Sequence, residues 1–114
     1  MALDLDPEDA KLATLARAGR ARARSAEAAA VRDRDGRTYV AVSVDLPSLS
    51  LTAVQAAVAT AVSSGVAGLE AAVVVTDSLG VAEKDADVVR DFAGSGVPIY
   101  RADASGVVLD QVTT

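Results

Sequence analysis

The segment Leu51–Gly65, LTAVQAAVATAVSSG, decides the fold that this sequence predicts. A helix that is apolar on nearly all sides is buried, so we expect residues 51–64 to form a helix covered by a sheet on one face and by another element or subunit on the other. We expect Ser48 or Ser50 to cap its first turn and Gly65 to follow its last. Its few polar residues are Thr52, Gln55, Thr60, Ser63 and Ser64.

Upstream of this helix, the sequence predicts another helix and a β-hairpin. Asp6 followed by Pro7 is a helix-start signal, with an N-cap residue and a proline at the first helical position. Asp35 and Gly36 separate two apolar runs, which is typical of a tight hairpin turn. The expected elements are a helix from residue 7 to about 22–25 and strands at about 27–33 and 37–44, followed by a loop over DLPSLS.

Downstream, the sequence predicts a βαβ crossover and a last edge strand. The apolar run at 70–76 does not alternate, as in strands covered on both faces. Gly94-Ser95-Gly96 lies between a helix and a strand, the reverse of a phosphate-binding loop, so we expect a turn there. The expected elements are a strand at about 70–76, a helix at about 84–93, a strand over VPIYRA and a strand near the C-terminus.

This order predicts an α/β fold with helices on the faces of a mixed sheet. At 114 residues the chain is long enough for one domain, residues 1–114, and we expect residues 1–6 and 112–114 to be frayed. No apolar run approaches the roughly 20 residues of a membrane span, and the acidic N-terminus does not resemble a signal peptide. We therefore expect a soluble, cytoplasmic protein.

The composition excludes several kinds of chemistry. The sequence contains no Cys and no His. That removes disulfides, thiolate and imidazole metal ligands, and the commonest general base near neutral pH. Carboxylates, hydroxyls, amides, Lys and Arg remain as reactive groups.

The net charge of −5 is unevenly distributed, and residues 10–37 carry eight basic residues against three acidic ones. Four of these basic residues form an arginine cluster between Arg17 and Arg24. Such a segment can bind nucleic acid or an acidic partner, but no aromatic residue lies among the arginines to stack on bases. Arginines at the end of a helix also offset its macrodipole, so a solvated helix face is the simpler interpretation.

Two further polar features have both a functional and a structural interpretation. Gln55 on the apolar helix is expected to bond a neighbouring backbone group or another subunit, rather than a ligand. Acidic residues at the third helix can bind a divalent cation or perform acid–base chemistry. They also suit an exposed helix start, which we favour. These acidic residues are Glu83, Asp85, Asp87 and Asp91.

Several segments together resemble the cytidine deaminase family. AAAVRDRDGRTYVAVSVDLPS resembles the family's GAAV…DGR.YTGVNVENAS, and TAVQAAVATAVSSG resembles its helix pattern CAE..A…AVS.G. VVVTD is similar to the strand that follows, and VAEKDADVVRDFAGSGVPIYRADASGVV to PCG.CRQVLREFA….P…AD..G.V. The likeness extends from about residue 10 to 112. It implies a three-layer α/β/α fold with a mixed five-stranded sheet.

The resemblance fails at the residues that carry the chemistry. Zinc deaminases hold Zn²⁺ with a His/Cys, Cys and Cys set, and a Glu relays protons. One alignment places Thr52 at the first ligand and Val54 at the Glu, and another places Val54 and Ala56 there. The two later Cys positions fall on Ala82 and Asp85. No alignment supplies three ligands, so we predict no metal, no cofactor and no catalytic residue.

The nucleoside pocket is also altered. The family's nucleoside-contacting Asn and Glu resemble Ser43 and Asp45, and the aromatic that cradles the base has no counterpart among Ser25, Ala26 and Glu27. Ser43 lacks the two-sided pairing of an amide, and Asp45 is one methylene shorter than Glu. They form either a residual ligand site or purely structural contacts, Ser43 at a strand end and Asp45 in a loop.

Three functions stay open at this stage. We favour a non-catalytic relative that acts as a structural or protein-interaction domain. The dimers and tetramers of the family imply a homo-oligomer with the Ala-rich helix at its interface. The alternative is a nucleoside-binding module at Ser43 and Asp45, and the least favoured is a deaminase with an atypical site.

Overall fold

The computed structural model describes residues 3–114. Met1 and Ala2, the first two of the six N-terminal residues expected to be frayed, lie outside the described residues. An N-terminal helix precedes a hairpin, and two further helices alternate with strands of the same sheet. The elements are α1 (Pro7–Ala23), β1 (Ala28–Asp33), β2 (Thr38–Val42), β3 (Val44–Leu46), β4 (Leu49–Leu51), α2 (Ala53–Ser63), β5 (Leu69–Val75), α3 (Glu83–Ala93), β6 (Pro98–Ala102) and β7 (Val108–Thr113).

Five of the strands form one mixed sheet in the order β2-β1-β5-β6-β7. β5 and β6 are parallel and are joined through α3, whereas the other neighbouring pairs are antiparallel. The predicted mixed five-stranded sheet is therefore confirmed. Within residues 3–114, no helix is both long enough and apolar enough to cross a membrane.

Helices cover both faces of the sheet, as the order of elements predicted. The alternating side chains of β5 divide between the two faces: Val73 packs with α1, and Val74 packs with α2 and α3. This explains why the strand is apolar along its whole length. The α1 face is built on Leu12, Ala16, Ala30, Val73 and Tyr100, and the other face on Val54, Ala57, Val74, Val89 and Ile99.

A buried polar network fixes α1 on its face of the sheet. Asp9 accepts hydrogen bonds from the Tyr100 hydroxyl and from Arg32 Nη2, both at 2.8 Å. Arg32 Nε also donates to Glu70 at 2.9 Å, so the network reaches β1, β5 and β6. Burial of the phenol, together with its bond to the Asp9 carboxylate, raises the pKa of Tyr100 to about 12.

The predicted turn at Asp35 and Gly36 is present, and Gly36 has the positive φ of 88° that such turns require. The buried Asp33 organises it by accepting hydrogen bonds from the N–H groups of Asp35 and Arg37 and from the Tyr39 hydroxyl. Burial acts to raise the pKa of Asp33, but these three hydrogen bonds outweigh it, and the net pKa is lowered. Asp33 therefore accounts for the hairpin geometry together with Gly36.

The expected loop over DLPSLS is wrong, because this segment is a small β-hairpin. Its strands β3 and β4 pair Leu46 with Leu49 and Val44 with Leu51 around a two-residue turn. The same error placed the N-cap of α2 at Ser48 or Ser50, whereas the observed N-cap is Thr52. Because apolar residues of β3 and β4 pair with each other, Ser48 and Ser50 belong to the hairpin, and Thr52 is the N-cap residue of α2.

The C-terminal residues 112–114, which we expected to be frayed, are held against β6. β7 continues to Thr113, which pairs with Pro98. The Thr114 hydroxyl donates to the carbonyl of Gly94 and accepts from the N–H of Val97. At the other end, the N–H of Leu3 donates to the carbonyl of Val108.

Close contact between α1 and the sheet at Gly19 gives a test of the packing. A Cβ at Gly19 would lie 2.9 Å from Cγ1 of Val40, a β-branched side chain with little freedom to move. Gly19→Ala should therefore destabilise the protein by about 1–3 kcal/mol. At an exposed helix position, where the added methyl group meets no neighbour, the same change stabilises the helix by up to about 1 kcal/mol. Urea denaturation measures the difference.

The matched control is the same substitution in a Val40→Ala background. With the methyl groups of Val40 removed, Gly19→Ala should become neutral or stabilising, because only the helix preference remains. Equal destabilisation in both backgrounds would contradict the proposed contact.

Candidate functional site

The candidate site lies at the start of α2. Thr52 is the N-cap: its hydroxyl accepts the N–H of Gln55 at 3.0 Å, and the Gln55 side chain accepts the N–H of Thr52 at 2.9 Å. This reciprocal capping box explains why a polar residue occupies position 55 of an apolar helix. The expectation that Gln55 bonds neighbouring backbone is confirmed.

The start of α3 meets the start of α2 through a single hydrogen bond. The Thr52 hydroxyl donates to Asp85 Oδ1 at 2.6 Å, and only 3% of Asp85 is exposed. Ala82, the N-cap of α3, makes no side-chain capping bond, and Asp85 is the buried acidic residue in the first turn of that helix. Thr52 and Asp85, which the resemblance to the cytidine deaminases places at metal-ligand positions in one of the two alignments, are thus side by side and bonded to each other.

Our expectation that the acidic residues of α3 all lie on an exposed face is wrong for Asp85. Glu83, Asp87 and Asp91 are exposed, but Asp85 is buried. Asp85 lies one helical turn before Val89, which is fully buried against the sheet, so both side chains point inward. Gly94-Ser95-Gly96 forms the predicted turn after α3, with positive φ at both glycines.

The charge of a second acidic group, Glu27, also acts on Asp85. The Glu27 carboxylate accepts the hydroxyl of the buried Thr76 at 2.8 Å, and that hydroxyl accepts the N–H of Ser78. Burial raises the pKa of Asp85, and the negative charge of Glu27 raises it further, whereas the bond from Thr52 and the charge of Lys84 act in the opposite direction. The net pKa of Asp85 is above its ordinary value.

The residues at this site do not fit a zinc ion of the deaminase type. Zn²⁺ in such sites takes nitrogen and sulfur ligands, and here the aligned positions hold Thr52, Ala82 and Asp85. Within the described residues, no three His, Cys, Asp or Glu side chains are grouped to hold a metal ion. At the proton-relay position, Val54 is fully buried in the core, and Ala56 of the other alignment is also buried.

The two predicted ligand-binding residues lie in different surroundings. Ser43 is half-buried between β2 and β3, and its hydroxyl is 3.0 Å from that of Ser25. Asp45 is exposed on β3 in the small hairpin. A nucleoside site at Ser43 and Asp45 stays a prediction.

Sequence reasoning missed the pairing of Glu27 with Thr76 and of Thr52 with Asp85. The partners are 49 and 33 residues apart, so no local pattern joins them. A lone acidic residue, Glu27, just before an apolar run was the available signal for the first pair. For the second pair, the available signal was the spacing of four residues between Asp85 and the apolar Val89, which places both on one face of a helix.

A mixed five-stranded sheet has helices on both of its faces, and the starts of two of these helices are joined by a hydrogen bond. The family model described as "Cytidine deaminase-like" matches residues 5–106. The chain therefore belongs to the cytidine deaminase-like family.

Solved structures of cytidine deaminases are similar to this chain. The enzyme from Burkholderia pseudomallei has a TM-score of 0.78 at 18% identity, covering 90% of each chain. The enzyme from Mycobacterium leprae has a TM-score of 0.72 at 22% identity, covering 96% of this chain and 94% of that chain. The Mycobacterium tuberculosis enzyme has a TM-score of 0.69 at 27% identity, covering 84% and 85%. A comparison with curated proteins found no match.

The raised pKa of Asp85 predicts a pH-dependent effect of Asp85→Asn. Because the folded-state pKa lies above the unfolded value, ionised Asp85 disfavours folding once the pH exceeds the unfolded value of about 3.9. Asparagine is neutral and keeps an oxygen to accept the Thr52 hydroxyl. The variant should therefore be more stable than the wild type at neutral pH, and this gain should vanish near about pH 3.

Urea denaturation at the two pH values measures this effect. Asp87→Asn, an exposed acid on the same helix, is the matched control and should not give the same gain. A wild type that is more stable than Asp85→Asn at neutral pH would show that the Asp85 carboxylate stabilises the fold, against this account.

Proposed function

We propose that this protein is a non-catalytic member of the family that acts as a structural or protein-interaction domain and forms homo-oligomers. The hydrogen bond between Thr52 and Asp85 is the observation that carries the proposal, because it uses two aligned ligand positions to join two helices. Its cytoplasmic location stays a prediction.

The chemistry of the remaining groups supports the loss of deaminase activity. Attack of water on a pyrimidine ring at neutral pH needs a strong activating group, which Zn²⁺ supplies in the zinc deaminases. A hydroxyl and one buried carboxylate do not form a comparable set of zinc ligands. Val54 has no proton to transfer, so the second requirement of the reaction is also missing.

An activity assay tests this part of the proposal. Purified protein should convert neither cytidine nor deoxycytidine to the uridine product above the rate in buffer, measured with added zinc. Cytidine deaminase from Mycobacterium tuberculosis, assayed in parallel, is the control for the assay. Conversion of cytidine to uridine at an ordinary enzymatic rate would contradict the proposal.

An apolar groove between α2 and α3 supports the proposed self-association. The groove has a volume of about 450 Å³ and is lined by Leu51, Gln55, Val58, Ala59, Val62, Ser63 and Val88. Val62 is 49% exposed there, and Leu46 and Leu49 of the adjoining hairpin are 58% and 48% exposed. An exposed apolar surface of this kind is typical of an interaction site.

The sequence of α2 favours a second copy of the chain as the occupant of this groove. α2 contains no charged residue, so two copies of the helix can pack together without burying a charge. Its alanines also allow close approach of the two backbones. A two-fold contact, in which the same face serves both copies, is the commonest form of association between identical chains.

Val62→Lys tests this interface. Two lysines buried at a two-fold contact repel each other and lose hydration, so the variant should be monomeric at concentrations where the wild type is a dimer or tetramer. Light scattering coupled to gel filtration measures the mass. Val107→Lys introduces the same charge at a similarly exposed valine, 41% exposed, outside the groove and should stay oligomeric.

A monomeric wild type, or an unchanged mass in Val62→Lys, would contradict the proposed interface. Loss of the oligomer in both variants would also contradict it, because the effect would then not depend on the groove.

A further inference from the structure

The arginine cluster at the end of α1 lines a cavity that the proposed function does not use. The cavity has a volume of about 400 Å³ and is lined by Arg17, Arg20, Ala21, Arg24, Ser25 and Ala104. Three arginine residues therefore line one small space, and no acidic residue lies among the lining residues. Its size is in the range of small-molecule sites.

Two of these arginines are held in place by the protein. Arg20 donates from Nε to the carbonyl of Ser25 at 3.3 Å and from Nη2 to Asp77 at 3.0 Å. Arg17 donates from Nη1 to the carbonyl of Ser105 at 3.2 Å, and its aliphatic stem lies across Gly106. Side chains already fixed in this way lose less conformational entropy when they bind a ligand.

Arg17 and Gly106 fit each other closely. A Cβ at Gly106 would lie 3.1 Å from Cδ of Arg17, and Gly106 has a φ of 87°. The stem of Arg17 thus occupies space that only a glycine leaves open. Arg24 follows the last turn of α1 with a φ of 53°, at the edge of the same cavity.

The charges of these three arginines are only partly balanced. Arg20 forms an ion pair with Asp77, whose side chain is 81% exposed. Among the described residues, no carboxylate lies within ion-pair distance of Arg17 or Arg24. The nearby Asp103 accepts hydrogen bonds from Ser105 and from the N–H of Val107. The cavity therefore has a net positive charge.

We infer that this cavity binds the phosphoryl group of a small phosphorylated molecule. A guanidinium group presents paired N–H donors that match two phosphate oxygens, and both Arg17 and Arg20 keep donors that the protein does not use. The structure favours a small ligand over nucleic acid. The chain as a whole has a net charge of −5, which opposes binding of a long polyanion, and no aromatic side chain lines the cavity.

Titration calorimetry with inorganic pyrophosphate in a phosphate-free buffer tests the inference. The double variant Arg17→Gln/Arg24→Gln removes two charges from the cavity and leaves the structural Arg20 in place. It should weaken pyrophosphate binding by at least about tenfold. Lys84→Gln/Arg90→Gln removes the same charge from exposed positions of α3 and should bind like the wild type.

The backbone amide signals of Ala21, Ser25 and Gly106 should shift on addition of pyrophosphate, and thermal melting shows that each variant is folded. If Arg17→Gln/Arg24→Gln does not fold, Arg24→Gln alone, at an exposed position after the last turn of α1, replaces it and should also weaken binding. No binding by the wild type at millimolar pyrophosphate would overturn the inference, and so would an equal loss in the α3 variant. Tighter binding of a single-stranded oligonucleotide than of pyrophosphate would also overturn it, because the surface would then be a general polyanion site.

Discussion

The hydrogen bond between Thr52 and Asp85 joins the starts of the two helices that cover one face of the sheet. Helix starts carry unpaired N–H groups and a partial positive charge, and both need a partner. Thr52 meets this need for α2 by accepting the N–H of Gln55, and the same hydroxyl donates to the carboxylate in the first turn of α3. One side chain thus completes α2 and fixes its position against α3.

This arrangement joins the two helices directly through side chains. Zinc deaminases bind a metal ion with His and Cys ligands, whereas here the side chains of Thr52 and Asp85 contact each other directly. For ionised Asp85 the cost of burial outweighs the benefit of this bond, so the pKa of Asp85 is raised. The remaining stability comes from apolar packing on both faces of the sheet, which requires no metal. The fold itself therefore does not depend on a metal site, since function depends on a site and not on the fold that carries it.

Local patterns predicted most of the architecture. Asp6 with Pro7 marked the start of α1, and Asp35 with Gly36 marked the hairpin, because each pattern acts within a few residues. The hairpin over DLPSLS escaped prediction because each of its strands has only three residues, too few to show an alternating pattern. Contacts between distant residues were beyond local patterns. Asp9 and Tyr100 are 91 residues apart, and only the packed sheet brings them together.

At the candidate site, the sequence predicted which metal ligands and catalytic residues are absent. It did not predict how the side chains that replace them contact each other. Alignment with the family identified Thr52 and Asp85 as replacements for metal ligands, but not that they bond each other. Asp85 was expected to be exposed because acidic residues are common at helix starts, and the burial of Val89 one turn later was the stronger signal. The arginine cluster was interpreted as a solvated helix face, and only the structure brings Arg17 and Arg24 to one cavity.

The zinc content of the purified protein tests the central claim most directly. Protein produced in zinc-supplemented medium and then dialysed against metal-free buffer is analysed by plasma mass spectrometry. Because Thr52 and Asp85 are bonded to each other and no sulfur or imidazole ligand accompanies them, the account predicts far less than one zinc atom per chain. About one zinc atom per chain retained through dialysis would contradict it.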